Sequence, residues 1–122
     1  MIHVTTSFQD LAYAIKLRRQ LIQRGHEVHL SDYYGKDLTK IHQQLHRAAV
    51  IIVLMSEPAY ESIWVLGELE LALRQQKVIF PLSIDGTMFP RLTQYDPESI
   101  SAWRLPSLRF FQRLEQWVQP AL

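Results

Sequence analysis

The chain has no cysteine, only four glycines in 122 residues and a formal net charge of +1, and each shortage removes a class of chemistry. Without cysteine there is no disulfide frame, no thiolate zinc site and no cysteine nucleophile, a composition that suits a reducing compartment. A charge so close to neutral lacks the basic excess with which a dedicated nucleic-acid binder meets phosphates. Long hydrophobic runs are missing too. The longest, Ala48 to Met55, is far short of the ~20 residues that a spanning helix needs, and the opening Met-Ile-His-Val has neither the charged nor the apolar region of a secretory signal. The glycine-built phosphate cradles G-x-x-x-x-G-K-[ST] and G-x-G-x-x-G are absent, as is the G-x-S-x-G nucleophile elbow. The expectation is one soluble cytoplasmic domain over residues 1–122, with a real core and with no metal, nucleic-acid or membrane partner.

What the chain does have is alternation. Ile2 to Thr6 reads as a first strand, apolar at every second position. A polar turn at Ser7–Asp10 leads into a helix whose repeating positions are Leu11, Ala14, Ile15, Arg18, Leu21 and Ile22, stopped by Gly25. Glu27 to Leu30 is a weaker strand. A loop, Ser31-Asp-Tyr-Tyr-Gly-Lys-Asp37, precedes a second helix traced by Leu38, Ile41, Gln44 or Leu45, and Ala48. His42 and His46 on that helix have the spacing of a metal pair but no third ligand nearby, so they read as surface histidines. Val50 to Ser56 is almost wholly apolar, as a strand buried on both faces would be. Glu57 to Glu61 reads as a loop, Ser62 to about Gln76 as a helix, and Val78 to Ile84 as the fourth strand. An edge strand is expected within Ile100–Leu105, and a closing helix carries Phe110, Phe111, Leu114, Trp117 and Val118. Strands alternating with helices through short links predict a parallel α/β three-layer sandwich, flavodoxin-like, with five strands in the order 2-1-3-4-5.

That order makes a functional prediction. Strands one and three flank the switch point, where ligands collect beyond the C-terminal strand ends. The segments expected there are Thr6–Asp10 and Ser56–Glu68. The helix opening at Ser62-Ile-Trp-Val-Leu-Gly-Glu68 has a natural N-cap in Ser62, and it stacks Trp64 and Glu68 one turn apart. Helical spacing puts Val65, Leu66, Leu69, Ala72 and Leu73 on the buried stripe, with Glu68 at its border. Glu70 falls on the solvent side, four residues from Arg74. Read from the residues alone, Glu68 is either a first-turn acid favouring the positive helix end or a carboxylate beside an aromatic at the mouth of a site.

These motifs resemble the TIR (Toll/interleukin-1 receptor) domain family over nearly the whole chain. Ile2-His-Val-Thr-Thr-Ser-Phe-Gln-Asp10 is similar to the first box, an apolar strand running into S-Y-S-x-K-D. Ala48 to Ser56, with Tyr60-Glu-Ser-Ile-Trp64 and Glu68-Leu69, resembles A-x-x-V-I-x-V-x-S…Y-x-x-S-x-W-x-x-x-E-L. Val78-Ile-Phe-Pro81 is similar to the V-I-P-I strand, and Phe110-Phe111 echoes the third box. The resemblance to the enzymatic branch implies cleavage of NAD⁺, with Glu68 as the catalytic residue and Ser62 and Trp64 lining the site. Ser7 and Phe8 are expected on the nucleotide side by position, and Asp32, at the end of strand two, is a further candidate substrate contact. Tyr33 and Tyr34 read as exposed loop tyrosines, with capping the site or joining neighbouring subunits as the alternative. NAD⁺ is then substrate and no separate cofactor is implied. The implied partners are a second copy or another TIR-containing or sensor protein, in a bacterial defence or virulence setting. Two alternatives stand beside this reading: a non-catalytic TIR interaction module, and an N-glycosidase resembling nucleoside deoxyribosyltransferases.

The chemistry suits a single carboxylate. Breaking the nicotinamide–ribose bond builds oxocarbenium-like charge on the sugar, which a carboxylate steadies. The pyridinium leaves already neutral, so no second carboxyl is needed to protonate it.

Overall fold

The computed structural model describes residues 1–31 and 37–120. Five parallel strands, β1 (Ile2–Thr5), β2 (Val28–Leu30), β3 (Val50–Met55), β4 (Val78–Ser83) and β5 (Glu98–Ser99), form one sheet in the order β2-β1-β3-β4-β5. The flavodoxin-like order expected from the alternation is the one observed. Register is set at the centre, where Ile2, His3, Val4 and Thr5 pair with Val50, Ile51, Ile52 and Val53.

Because side chains alternate across a strand, the sheet sorts its residues into two layers. Ile2, Val4, Val50, Ile52 and Leu54 face a core closed by Tyr13, Ala14, Leu17 and Leu21 of α1 (Leu11–Gln23) and by Phe110, Phe111 and Leu114 of α5 (Leu108–Leu114). Ile51, Val53 and Met55 face the other way, toward Leu45 of α2 (Leu38–Arg47), Ala59 of α3 (Glu57–Tyr60) and Val65, Leu69 and Ala72 of α4 (Ile63–Arg74). The second face of β1 differs from its neighbours: it presents His3 and Thr5, both fully buried, to the α4 side.

Four expectations need correction. The edge strand is Glu98–Ser99, not Ile100–Leu105, because Ala102 and Trp103 take left-handed φ angles of 52° and 60° that break an extended run. The turn they make is held by Tyr13, whose hydroxyl donates to the Arg104 carbonyl at 2.8 Å. Residues 57 to 61 are not all loop: Ser56 Oγ accepts from Ala59 N at 3.1 Å and caps the single turn of α3. The buried stripe of α4 is Val65, Glu68, Leu69 and Ala72, whereas Leu66 is exposed. The stripe is thus turned so that Glu68 lies within it rather than at its border. Finally, α5 ends at Leu114, so Trp117 lies beyond the helix and is exposed, although Val118 is buried.

Pro81 sits inside β4, where its missing N–H would ordinarily break a ladder. Strand β5 pairs only with Leu82 and Ser83, so β4 is an edge at Pro81, a place where proline is tolerated. Among the described residues no helix is long and apolar enough to cross a membrane.

Candidate active site

The C-terminal ends of β1 to β4 all run into one cleft of about 810 Å³, within the range of small-molecule sites. Thr6 follows β1, Ser31 follows β2, Glu57 comes just after β3, and Asp85 lies just past β4; all four line it. The far wall is the entry to α4, with Glu61, Ser62, Ile63 and Trp64, and the near wall is Ser7, Phe8, Gln9 and Leu11. The topology therefore brings the segments after β1 and β3 together at one cleft.

Each wall is tied down locally. Asp10 Oδ2 accepts from Ser7 Oγ at 2.7 Å and also from Ser56 Oγ, so one carboxylate joins the loops after β1 and β3. Thr6 N donates to Ser31 Oγ at 2.8 Å, which joins the loops after β1 and β2. Asp85 accepts from the backbone N–H of Glu57 and of Thr87, both at 2.9 Å. Partial burial works to raise the Asp85 carboxyl, but these donors and the Thr87 hydroxyl outweigh it and hold the group below its ordinary value. Ser62 caps α4, its Oγ accepting from Val65 N at 3.2 Å.

Of the expected site residues, Ser7, Phe8, Ser62 and Trp64 meet in this cleft. Phe8 and Trp64 are largely exposed, at 68% and 49%, so the indole is a wall of the cleft rather than core filler. Asp32, Tyr33 and Tyr34 lie outside the described residues. Glu68 is the informative case. It is only 1% exposed and is not among the residues lining the cleft. It lies behind the wall, one turn past Trp64, with Oε1 accepting from His3 Nε2 at 2.7 Å and from Thr5 Oγ1 at 3.0 Å. Both side chains of the His3–Glu68 pair are fully buried. The expectation of a border position is thus corrected to one inside the protein, four residues past Trp64 and hydrogen-bonded to the strand that leads into Thr6.

His3 and Thr5 were not anticipated as site residues, though a signal for them exists. A central strand covered on both faces has no use for polar residues at alternate positions unless something polar meets them. His3 and Thr5 share one face of β1, and Glu68 is the only acid in the buried stripe of α4. Matching those two anomalies would have paired them.

Elsewhere, a shallow groove between α2 and α4 carries His42 and His46. Both are exposed, and His46 Nδ1 lies 3.1 Å from Gln75 Oε1. Among the described residues no three His, Cys, Asp or Glu side chains are grouped to hold a metal ion.

The family model for the TIR domain matches residues 2–118. The chain belongs to the TIR domain family. A solved TIR domain of a Toll-related receptor from Hydra magnipapillata superposes with a TM-score of 0.69 at 16% identity, covering 80% of this chain and 82% of that one. A flavodoxin-like domain from Synechococcus gives a TM-score of 0.56 at 15% identity, covering 94% of this chain and 90% of the other. At such identities both likenesses speak to the fold alone. No curated protein matches the chain.

Proposed function

We propose that this TIR domain cleaves the nicotinamide–ribose bond of NAD⁺, with Glu68 as the carboxylate that steadies the sugar cation. The observation that carries the reading is the position of Glu68: a lone carboxylate in an otherwise apolar stripe, held by His3 and Thr5 immediately behind a cleft at the switch point. In such a low-dielectric setting a fixed negative charge acts far more strongly on a developing cation than it would in water.

The cleft itself suits one end of this substrate. It is lined by Glu57, Glu61 and Asp85, and by no lysine or arginine among the described residues. Three carboxylates attract the positively charged pyridinium ring, and Trp64 and Phe8 offer it aromatic faces. The C1′–N bond breaks with its electron pair passing to the ring nitrogen, so nicotinamide leaves neutral. Water then adds to the sugar carbon and releases a proton, giving ADP-ribose, or an adenine nitrogen adds and gives a cyclic product.

Because Glu68 is screened from the cleft, turnover requires the wall to part. Ser7 and Phe8, on the segment after β1, and Trp64, in the first turn of α4, are the parts to move. Assembly with a second copy or with another TIR-containing protein supplies the bias toward the open form, in a signalling or defence role. Full turnover by dilute monomer, with no dependence on protein concentration, would remove that requirement.

A second reading, a TIR interaction module without catalysis, draws on a different observation. Phe8, Tyr60, Ile63 and Trp64 leave large apolar surfaces exposed around one rim, Ile63 to 74%, as docking surfaces do. One assay separates the readings. The protein, across a range of concentrations, is incubated with NAD⁺ or with a deoxynucleoside and the released base is identified. Nicotinamide supports the NAD⁺ reading, a nucleobase points to a nucleoside N-glycosidase, and neither leaves the docking module.

A further inference from the structure

We infer that His3 is a positioning residue for Glu68: it fixes the carboxylate on the framework of the domain while the cleft wall in front of it moves. The inference rests on the reading of Glu68 as the carboxylate of N-glycosidic cleavage.

Four observations lead to it. First, His3 occupies a core position on a central strand, in register with Ile51 on one side and His29 on the other. On the same sheet face β3 supplies Ile51, Val53 and Met55, and β4 supplies Ile79, all apolar and buried. The fold alone would be served by an apolar residue at position 3. Second, the histidine is imperfectly satisfied. A carboxylate only accepts, so Nε2 carries the proton of the 2.7 Å bond, and Nδ1 is buried with no partner among the described residues. Buried polar atoms are ordinarily paired, and an apolar replacement of a buried ionic pair is often neutral or stabilising. The arrangement is therefore poorly explained by stability.

Third, the two donors converge on the same oxygen. Thr5 Oγ1 reaches Oε1 from two residues further along β1, so the carboxylate is gripped from one strand while its backbone belongs to α4. A glutamate side chain has three torsions, and a misplacement of about 1 Å can cost 10²-fold in rate. Fourth, the gripping elements are those least able to shift. Strand β1 is paired on both sides, by β2 and β3, whereas Ser7 and Phe8 sit on the segment that follows it. Wall motion can uncover Glu68 without displacing it.

The test uses the full chain and three substitutions at one position. His3→Leu removes the donor and the unpaired nitrogen together. His3→Gln places an amide N–H near the position of Nε2. His3→Asn is polar but too short to reach Oε1. Under the assembled conditions in which the parent releases nicotinamide from NAD⁺, His3→Leu should fold but melt below the parent, because the buried Glu68 carboxylate loses a donor. Its kcat should fall about ten-fold or more with KM within about two-fold, and His3→Gln should recover most of the loss. Should His3→Leu fail to fold, His3→Asn takes its place with the same expected loss. A folded His3→Leu or His3→Asn that turns over within about two-fold of the parent, or faster, overturns the inference. So does a His3→Gln no better than His3→Leu. Failure of the underlying reading looks different: the parent itself then releases no nicotinamide at any concentration, and the inference falls with it.

Discussion

Among the described residues two histidine–glutamate pairs reach across the fold, one from the central strand β1 and one from just before the edge strand β2, and they are built to different ends. His26, just before β2, lies 2.6 Å from Glu115 Oε2, and Arg24 donates to both oxygens of the same carboxylate. That glutamate has a full cation, some access to water, and a place beyond α5 where it ties the end of the chain to the turn after α1. Arg24 also lies over the Phe111 ring, 4.7 Å from its centroid. Glu68, by contrast, is wholly buried, with His3 and Thr5 as its identified donors. The first pair neutralises a charge and spends it on cohesion. The second holds its carboxylate from β1, behind a cleft at the strand ends, the placement that a site for a transient cation needs.

The sharpest way to break this contrast is to remove the charge at Glu68. Glu68→Gln keeps the side-chain shape and should lower nicotinamide release by about 10²-fold or more, the scale on which a single preorganised electrostatic group acts. Thermal melting should show that the variant still folds, because the amide oxygen still accepts from His3 and Thr5. If Glu68→Gln turned over at the parent rate, Glu68 would be a structural acid like Glu115.

Glu115→Ala should do the reverse, costing about 1–3 kcal/mol of stability, since it strands a buried histidine and a partly buried arginine, while leaving nicotinamide release per folded molecule unchanged. The pH dependence follows from its carboxyl. The hydrogen bond from Arg24 lowers it most, partial burial works against that, and His26 adds to the lowering. A carboxyl that titrates lower in the folded than in the unfolded chain stabilises fully above its unfolded value, ordinarily 4.5. That stability is lost as pH falls through the folded value. The difference in Tm between the parent and Glu115→Gln should therefore be constant near neutrality and shrink below about pH 4.5. A difference that grew on acidification would mean that the clasp is not what holds α5.

How much of this was legible beforehand differs between the same two regions. The strand order, the cleft at the strand ends and the meeting of Ser7, Phe8, Ser62 and Trp64 all follow from patterns of two and 3.6 residues and from short links, which are local signals. The burial of Glu68 does not. At 100° per residue a border position and a buried one differ by a small rotation, and Leu66 and Glu68 exchanged places because His3 and Thr5, some 65 residues away in sequence, offered the acid a partner inside. The Arg24–His26–Glu115 clasp is invisible for the same reason: it joins residues about 90 apart. The false edge strand at Ile100–Leu105 failed on backbone sign, since nothing in Ala102-Trp103 announces left-handed residues.

Ser62 offers a smaller test, because it belongs to both roles. As the cap of α4 it should be worth about 1 kcal/mol, lost in Ser62→Ala and recovered in Ser62→Asp. As a wall of the cleft it contributes to binding, so Ser62→Ala should raise KM for NAD⁺ with kcat little changed. A drop in kcat alone would instead mean that the first turn of α4 carries Glu68 with it, and that the carboxylate is less firmly held by β1 than its two hydrogen bonds imply.

The smallest expected effect is at Glu70, and it matters because Glu70 is the matched control for Glu68. The two stand about 200° apart around α4, so one faces β1 and the other faces solvent. Glu70 pairs with Arg91 at 2.6 Å and more loosely with Arg74 at 3.8 Å. The hydrogen bond from Arg91 holds its carboxyl below the ordinary value. Ion pairs this open to water contribute little, and salt screens them further. Glu70→Gln should leave both the melting temperature and nicotinamide release indistinguishable from the parent. Were it to lower turnover as Glu68→Gln does, the negative charge that matters would be that of the helix as a whole. The special claim made for the buried carboxylate, and for the histidine that grips it, would then fail together.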